Sequence, residues 1–185
     1  MRARRWMAVA AGVGLVALFV PLTVAANLRG AGPASVSFLA TGNHGVRVNG
    51  HSQTLWVSDN GHVITVMVPI KSLKTGVGLR DHHMADKYLQ AAHYPDIRLD
   101  VPWAVVKRPP PGGTVSADAM GMLHLHGQTK PLYFHYTAQD QGGVTVVNGS
   151  FQVDIRQFGV QQPHFLGVWV NPVVNAQARF EVMAQ

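Results

Sequence analysis

From Ala34 onward, apolar and polar positions trade places along the chain with a period of two, and turn-forming residues interrupt the pattern at short intervals. That period puts successive side chains on opposite faces of an extended strand. Val36, Phe38 and Ala40 share a face of the first such stretch. Val46 and Val48 precede Asn49-Gly50, a pair that reads as a turn. Residues 53–58 form a short predicted strand. Asp59-Asn60-Gly61 predicts a tight hairpin, because Asn and Gly accept positive φ. Residues 62–70 are an apolar, β-branched run. Residues 96–106 alternate cleanly: Ile97, Leu99, Val101, Trp103 and Val105 on one face, Arg98, Asp100 and Pro102 on the other. Residues 114–126, 131–138, 144–156 and 173–183 are further strands.

One segment breaks the rhythm. Residues 80–92 place Met84, Tyr88 and Leu89 at helical spacing and predict the single helix. Many short strands with turn punctuation and one helix describe an all-β protein, an antiparallel barrel or sandwich of about eight strands. An eight-stranded barrel has room inside for side chains or one small ligand. If the inward faces follow the alternation, Leu99, Val101, Trp103, Leu123, Leu125, Phe134, Phe151, Val153 and Phe180 line that interior.

The first residues follow a different pattern. Arg2, Arg4 and Arg5 precede an uncharged run from Trp6 to Val20, Pro21 breaks it, and Val24-Ala25-Ala26 offers small residues to a signal peptidase. This is the three-part plan of a secretory signal over residues 1–26, and export to the periplasm is the expectation. The competing reading keeps the segment as an inner-membrane anchor, since the uncharged stretch is long enough to span a bilayer. Residues 27–33, with Gly30, Gly32 and Pro33, read as a linker, and 34–185 as one folded domain.

Charge changes meaning once the leader is set aside. The formal charge of +6 falls to +3 without Arg2, Arg4 and Arg5, and the remaining charges are scattered. No basic block or basic helix face remains to recognise nucleic acid. The chain has no cysteine, which removes disulfides, thiolate metal sites and a lipoprotein anchor. Packing alone must hold it. All 10 histidines lie beyond the leader, so acid would add positive charge and favour contact with an anionic membrane surface.

Catalytic signals are absent from the sequence. There is no GxSxG elbow, HExxH, GxGxxG or phosphate-binding loop. His124 and His126 are two apart on a strand, which points both rings to one face and makes a histidine-dependent metal or redox role an alternative. Asp81 complements the start of the helix, and Arg80 beside it either pins the preceding loop or meets an anionic head group.

Several separated motifs then point to a family. Leu73-Lys74-Thr75-Gly76 is followed by Leu79-Arg80-Asp81-His82-His83-Met84, by Tyr88-Leu89 and by Tyr94-Pro95-Asp96-Ile97. Next come Gly121-Met122-Leu123-His124-Leu125-His126-Gly127-Gln128-Thr129-Lys130-Pro131-Leu132, then Phe151-Gln152-Val153-Asp154 and Phe158-Gly159-Val160. In this order the chain resembles the YceI-like family, and Thr75, Gly76, Arg80, Asp81, Pro95 and Gly127 are its motif residues here. The resemblance implies a lipocalin-like antiparallel β-barrel with a helix near its mouth. It also implies a periplasmic, non-enzymatic protein that holds a polyisoprenoid or quinone-type lipid in an apolar cavity, without a cofactor. His126 before the Gly127 turn and the Pro-rich 109–113 loop depart from the pattern and leave the choice of ligand open. The remaining alternative is an envelope stress module whose barrel is packed shut and which acts through its outer surface.

Overall fold

The computed structural model describes residues 28–165 and 167–184. Alternation becomes a single 10-stranded antiparallel sheet, part of which curls into a closed 8-strand barrel. The strands are β1 (Leu28–Gly30), β2 (Ser35–Thr41), β3 (Arg47–Ser52), β4 (Trp56–Asp59), β5 (Val63–Pro69), β6 (Asp96–Pro102), β7 (Thr114–Leu125), β8 (Gln128–Asp140) and β9 (Val144–Asp154). A separate two-stranded ribbon, β10 (His164–Phe165) and β11 (Val168–Trp169), precedes β12 (Val173–Ala184). The ring runs β1-β4-β5-β6-β7-β8-β9-β12, and β12 returns to β1 through Leu28↔Ala184 and Gly30↔Val182. Closure removes the exposed edges that an open sheet would present. β2 pairs with the earlier part of β12, Ala176 opposite Phe38 and Ala178 opposite Val36, and β3 continues outward from β2.

The register explains why the barrel is hollow. Across one inward row, Phe151 faces Ala176, Ala176 faces Phe38, and Phe38 faces Gly50. In the next row Gly149 faces Ala178, and beyond it Val147 faces Phe180. Large side chains therefore stand beside small ones, and space is left over the small ones. Elsewhere the interior is packed: Ile70, Leu73, Leu89, Leu125, Phe158 and Val160 form a buried cluster beneath the helix.

The helix begins earlier than its pattern predicts. α1 (Gly78–His82) widens over His83–Tyr88 into a π-type turn, in which the Leu89 amide bonds the Met84 carbonyl at 2.9 Å. The wide turn lets Ala85, Leu89 and Ala91 reach the core while Met84 and Tyr88 stay at the cavity. Gln90 at φ 51 stops the helix before the expected end at residue 92.

Other expectations change too. Asn49-Gly50 is not a turn but runs through the middle of β3. Gly50 is needed there because a Cβ would stand 2.1 Å from the Phe38 ring. The stretch read as a linker contains β1, which closes the barrel. β6 stops at Pro102, and residues Trp103–Val105 form a tight 3-10 turn, so Val105 leaves the inner face and is exposed. β8 starts before the expected residue 131, at Gln128, opposite Leu125. A hairpin forms at Asp59 but is wider than its sequence predicts: Asp59 pairs with Ile64, and of Asn60 and Gly61 only Gly61 takes positive φ (84), its amide donating to Asp59 Oδ1 at 2.7 Å.

Candidate functional site

The barrel encloses an apolar cavity of about 1030 Å³, at the upper end of the range for small-molecule pockets. All the residues assigned to the interior from alternation stand on its wall: Leu99 and Val101 on β6, Leu123 and Leu125 on β7, Phe134 on β8, Phe151 and Val153 on β9, and Phe180 on β12. Trp103 also lines it, but from the turn after β6. Its indole N–H donates to Asp59 Oδ1 at 2.9 Å, and the Arg108 guanidinium lies 4.2 Å from the ring centre. Alternation also carried wall residues that were not singled out as ligand contacts, such as Phe38, Val48 and Val66. Met84, Tyr88 and Val168 reach the cavity from the helix and the small ribbon, for which the strand period gives no signal.

The motif residues sit at the helix end and do two jobs. The Thr75 amide and hydroxyl both donate to Asp81 Oδ1, the amide at 2.7 Å. Arg80 returns the connection, with Nε donating to the Thr75 hydroxyl and Nη2 to the Thr75 carbonyl, each at 2.8 Å. Burial alone would raise the Asp81 pKa, but the two Thr75 hydrogen bonds, with Lys74 and Arg80 nearby, outweigh it and hold the carboxyl below its ordinary value. Arg80 thus pins the loop, and it also borders the cavity together with Thr75, His83 and Lys87. Gly76 (φ 80) permits the turn between Thr75 and the helix. The Pro95 carbonyl accepts the Ile70 amide at 2.8 Å and ties the segment after the helix to the end of β5.

His126 and Gly127 make the two-residue turn between β7 and β8, with φ 50 and 73. Two consecutive positive φ values are the signature of a type I′ hairpin. A Cβ on Gly127 would approach the Tyr94 ring to 2.6 Å, and the His126 ring packs edge-on to Tyr94 at 5.0 Å. The His126 Nδ1 bonds the Phe158 carbonyl at 3.1 Å, while its buried Nε2 has no partner.

The histidine pair is therefore split. His124 lies on the outer wall, where Nε2 meets Asp100 at 2.9 Å and Nδ1 meets the Thr129 hydroxyl at 2.9 Å, and His126 is folded into the turn. His135 makes a similar outer cross-strand chain, to Asp118 at 2.8 Å and the Ser116 hydroxyl at 2.9 Å. Asp118 is 89% exposed, so water screens that pair. Among the described residues no three His, Asp or Glu side chains gather closely enough to hold a metal ion.

Comparison with known proteins adds three findings. The YceI-like domain family matches residues 31–182. A UPF0312 protein of Pseudomonas savastanoi pv. phaseolicola is 33% identical over 107 residues, covering 54% of this chain and 53% of its own. The chain thus spans about half the length of the curated relatives it matches. The fold is similar to a polyisoprenoid-binding domain from Saccharophagus degradans implicated in plant cell wall breakdown (TM-score 0.72, 14% identity, 87% of this chain and 99% of that one). It is also similar to BcnA of Burkholderia cenocepacia (TM-score 0.60, 17% identity, 82% of this chain and 96% of that one).

Proposed function

Because the chain belongs to the YceI-like family, we propose that it is a non-catalytic carrier, exported to the periplasm, that holds an isoprenoid-type lipid, a polyisoprenoid or a quinone, in its barrel. The hollow apolar interior carries this reading. Burial of each methylene-sized unit contributes about 0.8 kcal/mol. A long chain with many such units exceeds the association cost of about 4–15 kcal/mol. The Saccharophagus degradans domain, described as polyisoprenoid-binding, supports the ligand class. A barrel that acted only through its outer wall would have no use for the open volume, which favours the carrier over the packed module.

The polar groups fit a binding role. The cavity wall is mostly aliphatic and aromatic, and its charged side chains come from the two ends of the barrel, Arg80 and Lys87 from the helical segment and Lys107, Arg108 and Asp140 from the loop after β6 and the end of β8. The leader-like residues 1–26 support export, but they lie outside the described residues, so neither a signal nor a retained anchor is drawn from the structure. The test is native mass spectrometry of protein purified gently from its host envelope, with organic extraction of what it carries. An isoprenoid or quinone bound at one per barrel is expected. Protein that arrives empty and takes up neither lipid from detergent solution would overturn the proposal.

A further inference from the structure

The rim around the helix carries apolar side chains that the fold does not use. Val77 and Leu79, on either side of Gly78, are 49% and 63% exposed. Across the same rim the β10–β11 ribbon presents Trp169, 50% exposed. The ribbon is tied to the helical segment, because the Tyr88 hydroxyl bonds the His164 carbonyl at 3.4 Å and His164 pairs with Trp169. Leu79, Tyr88, His164 and Val168 all border one cavity, so both apolar protrusions stand beside its opening.

The charges around them lean one way. Arg80 and Lys87 border the cavity together with Val77 and Leu79, and Lys74 acts on the charge of the neighbouring Asp81. Asp81 and Asp86, the latter beside His82 at 2.7 Å, offset two of these charges and leave a net charge of +1 over residues 74–88. Exposed aliphatic side chains and a Trp at one rim, with an excess of positive over negative charge beside them, are the composition of an interfacial membrane anchor. Basic residues add to binding where the bilayer is anionic.

We propose that this rim docks on an anionic lipid bilayer, with Leu79 and Trp169 inserted among the acyl chains and Arg80 and Lys87 against the head groups. The inference deepens the carrier reading and rests on it, since docking would set the cavity opening against the membrane from which a lipid enters.

The experiment follows hydrogen exchange of the protein, as its host exports it, on adding phosphatidylglycerol vesicles, with phosphatidylcholine vesicles as the neutral comparison. Protection is expected over residues 76–88 and 164–170, and much less on neutral vesicles. Leu79→Glu combined with Trp169→Glu is expected to weaken vesicle binding roughly tenfold or more. Tyr133→Ser, at another exposed apolar position on the barrel wall, is expected to leave it unchanged. Uptake of farnesol from vesicle-free solution by the same variants tests the cavity separately. If farnesol enters but anionic vesicles protect neither segment, or the double variant binds as well as the parent, docking is wrong and the carrier reading stands. Protection of these segments by a co-purifying protein, with none from vesicles, would also overturn the proposal. A protein that docks but takes up no farnesol or longer isoprenoid would instead count against the carrier.

Discussion

Asp81 shows how much one side chain does at the opening. It accepts the amide and hydroxyl of Thr75, and Arg80 closes the loop from the other side. Its carboxyl is stabilised in the ionised form, so its folded-state pKa lies below the unfolded value. Such a group adds stability above the unfolded pKa, and the addition is lost as pH falls through the folded one. Asp81→Asn is therefore expected to lower stability by about 1–3 kcal/mol at neutral pH. The gap from the parent should close as the medium is taken below the ordinary aspartate range. Thermal melts of both proteins across that range check it. No change in the gap with pH would show that the carboxyl's charge is not what holds the loop. Of the two readings the sequence allowed for Arg80, the structure shows the pinning of the loop through Thr75, and it places the same side chain at the border of the cavity. Gly50 was harder to read. Asn-Gly is a strong turn signal, and only the ring of Phe38 on the neighbouring strand explains why the glycine serves a strand instead.

At the scale of elements, one hairpin joins three parts of the wall. The Asp59 carboxylate accepts the amide of Leu28 at 3.0 Å, the amide of Gly61 at 2.7 Å and the indole N–H of Trp103 at 2.9 Å. It thereby holds the first strand, the β4–β5 turn and the turn after β6. Asp59→Ala is expected to cost about 2–4 kcal/mol, because three donors lose their acceptor. Exchange of the Leu28 amide should accelerate more than that of amides in the middle of β8, and amide-resolved exchange reads it. Uniform acceleration across the barrel would count against a local tie. Strands with strong alternation, such as β7, β9 and β12, were legible because successive residues alternate between an inward, less exposed face and an outward, more exposed one. Short or bent pieces were not. β1 has only Leu28–Gly30, the run after Pro102 keeps its alternating sequence while its backbone turns, and the β10–β11 ribbon has too few residues to show a period.

For the molecule as a whole, the open interior is the property to perturb. Ala178 points inward between Gly149 and Val36, so a larger side chain there projects into open space. Ala178→Trp is expected to reduce isoprenoid uptake at least about tenfold, since the indole occupies volume the lipid needs. Circular dichroism should be unchanged. In the parent, a bound lipid at about a hundred times its Kd adds about 2.7 kcal/mol of stability. For a chain of this size that raises Tm by about 5–10 °C. The variant should lose this ligand-dependent rise, and paired melts with and without lipid detect it. Equal rises in both proteins would place the lipid outside the barrel. The alternation left a barrel and a sandwich both open, and the family motifs pointed to the barrel. Alternation does not show that it is hollow, because the volume depends on which large residue stands opposite which small one, as Phe151 does with Ala176.

The seam between β1 and β12 also bears on how the chain folds. Leu28 meets Ala184, so the first described strand must wait for the last before the ring can close. Contacts that span nearly the whole chain form slowly, because a long loop must be ordered before they repay it. A chain threaded through a membrane from its beginning would stay open until its final strand had crossed, and ring closure would then mark the end of delivery.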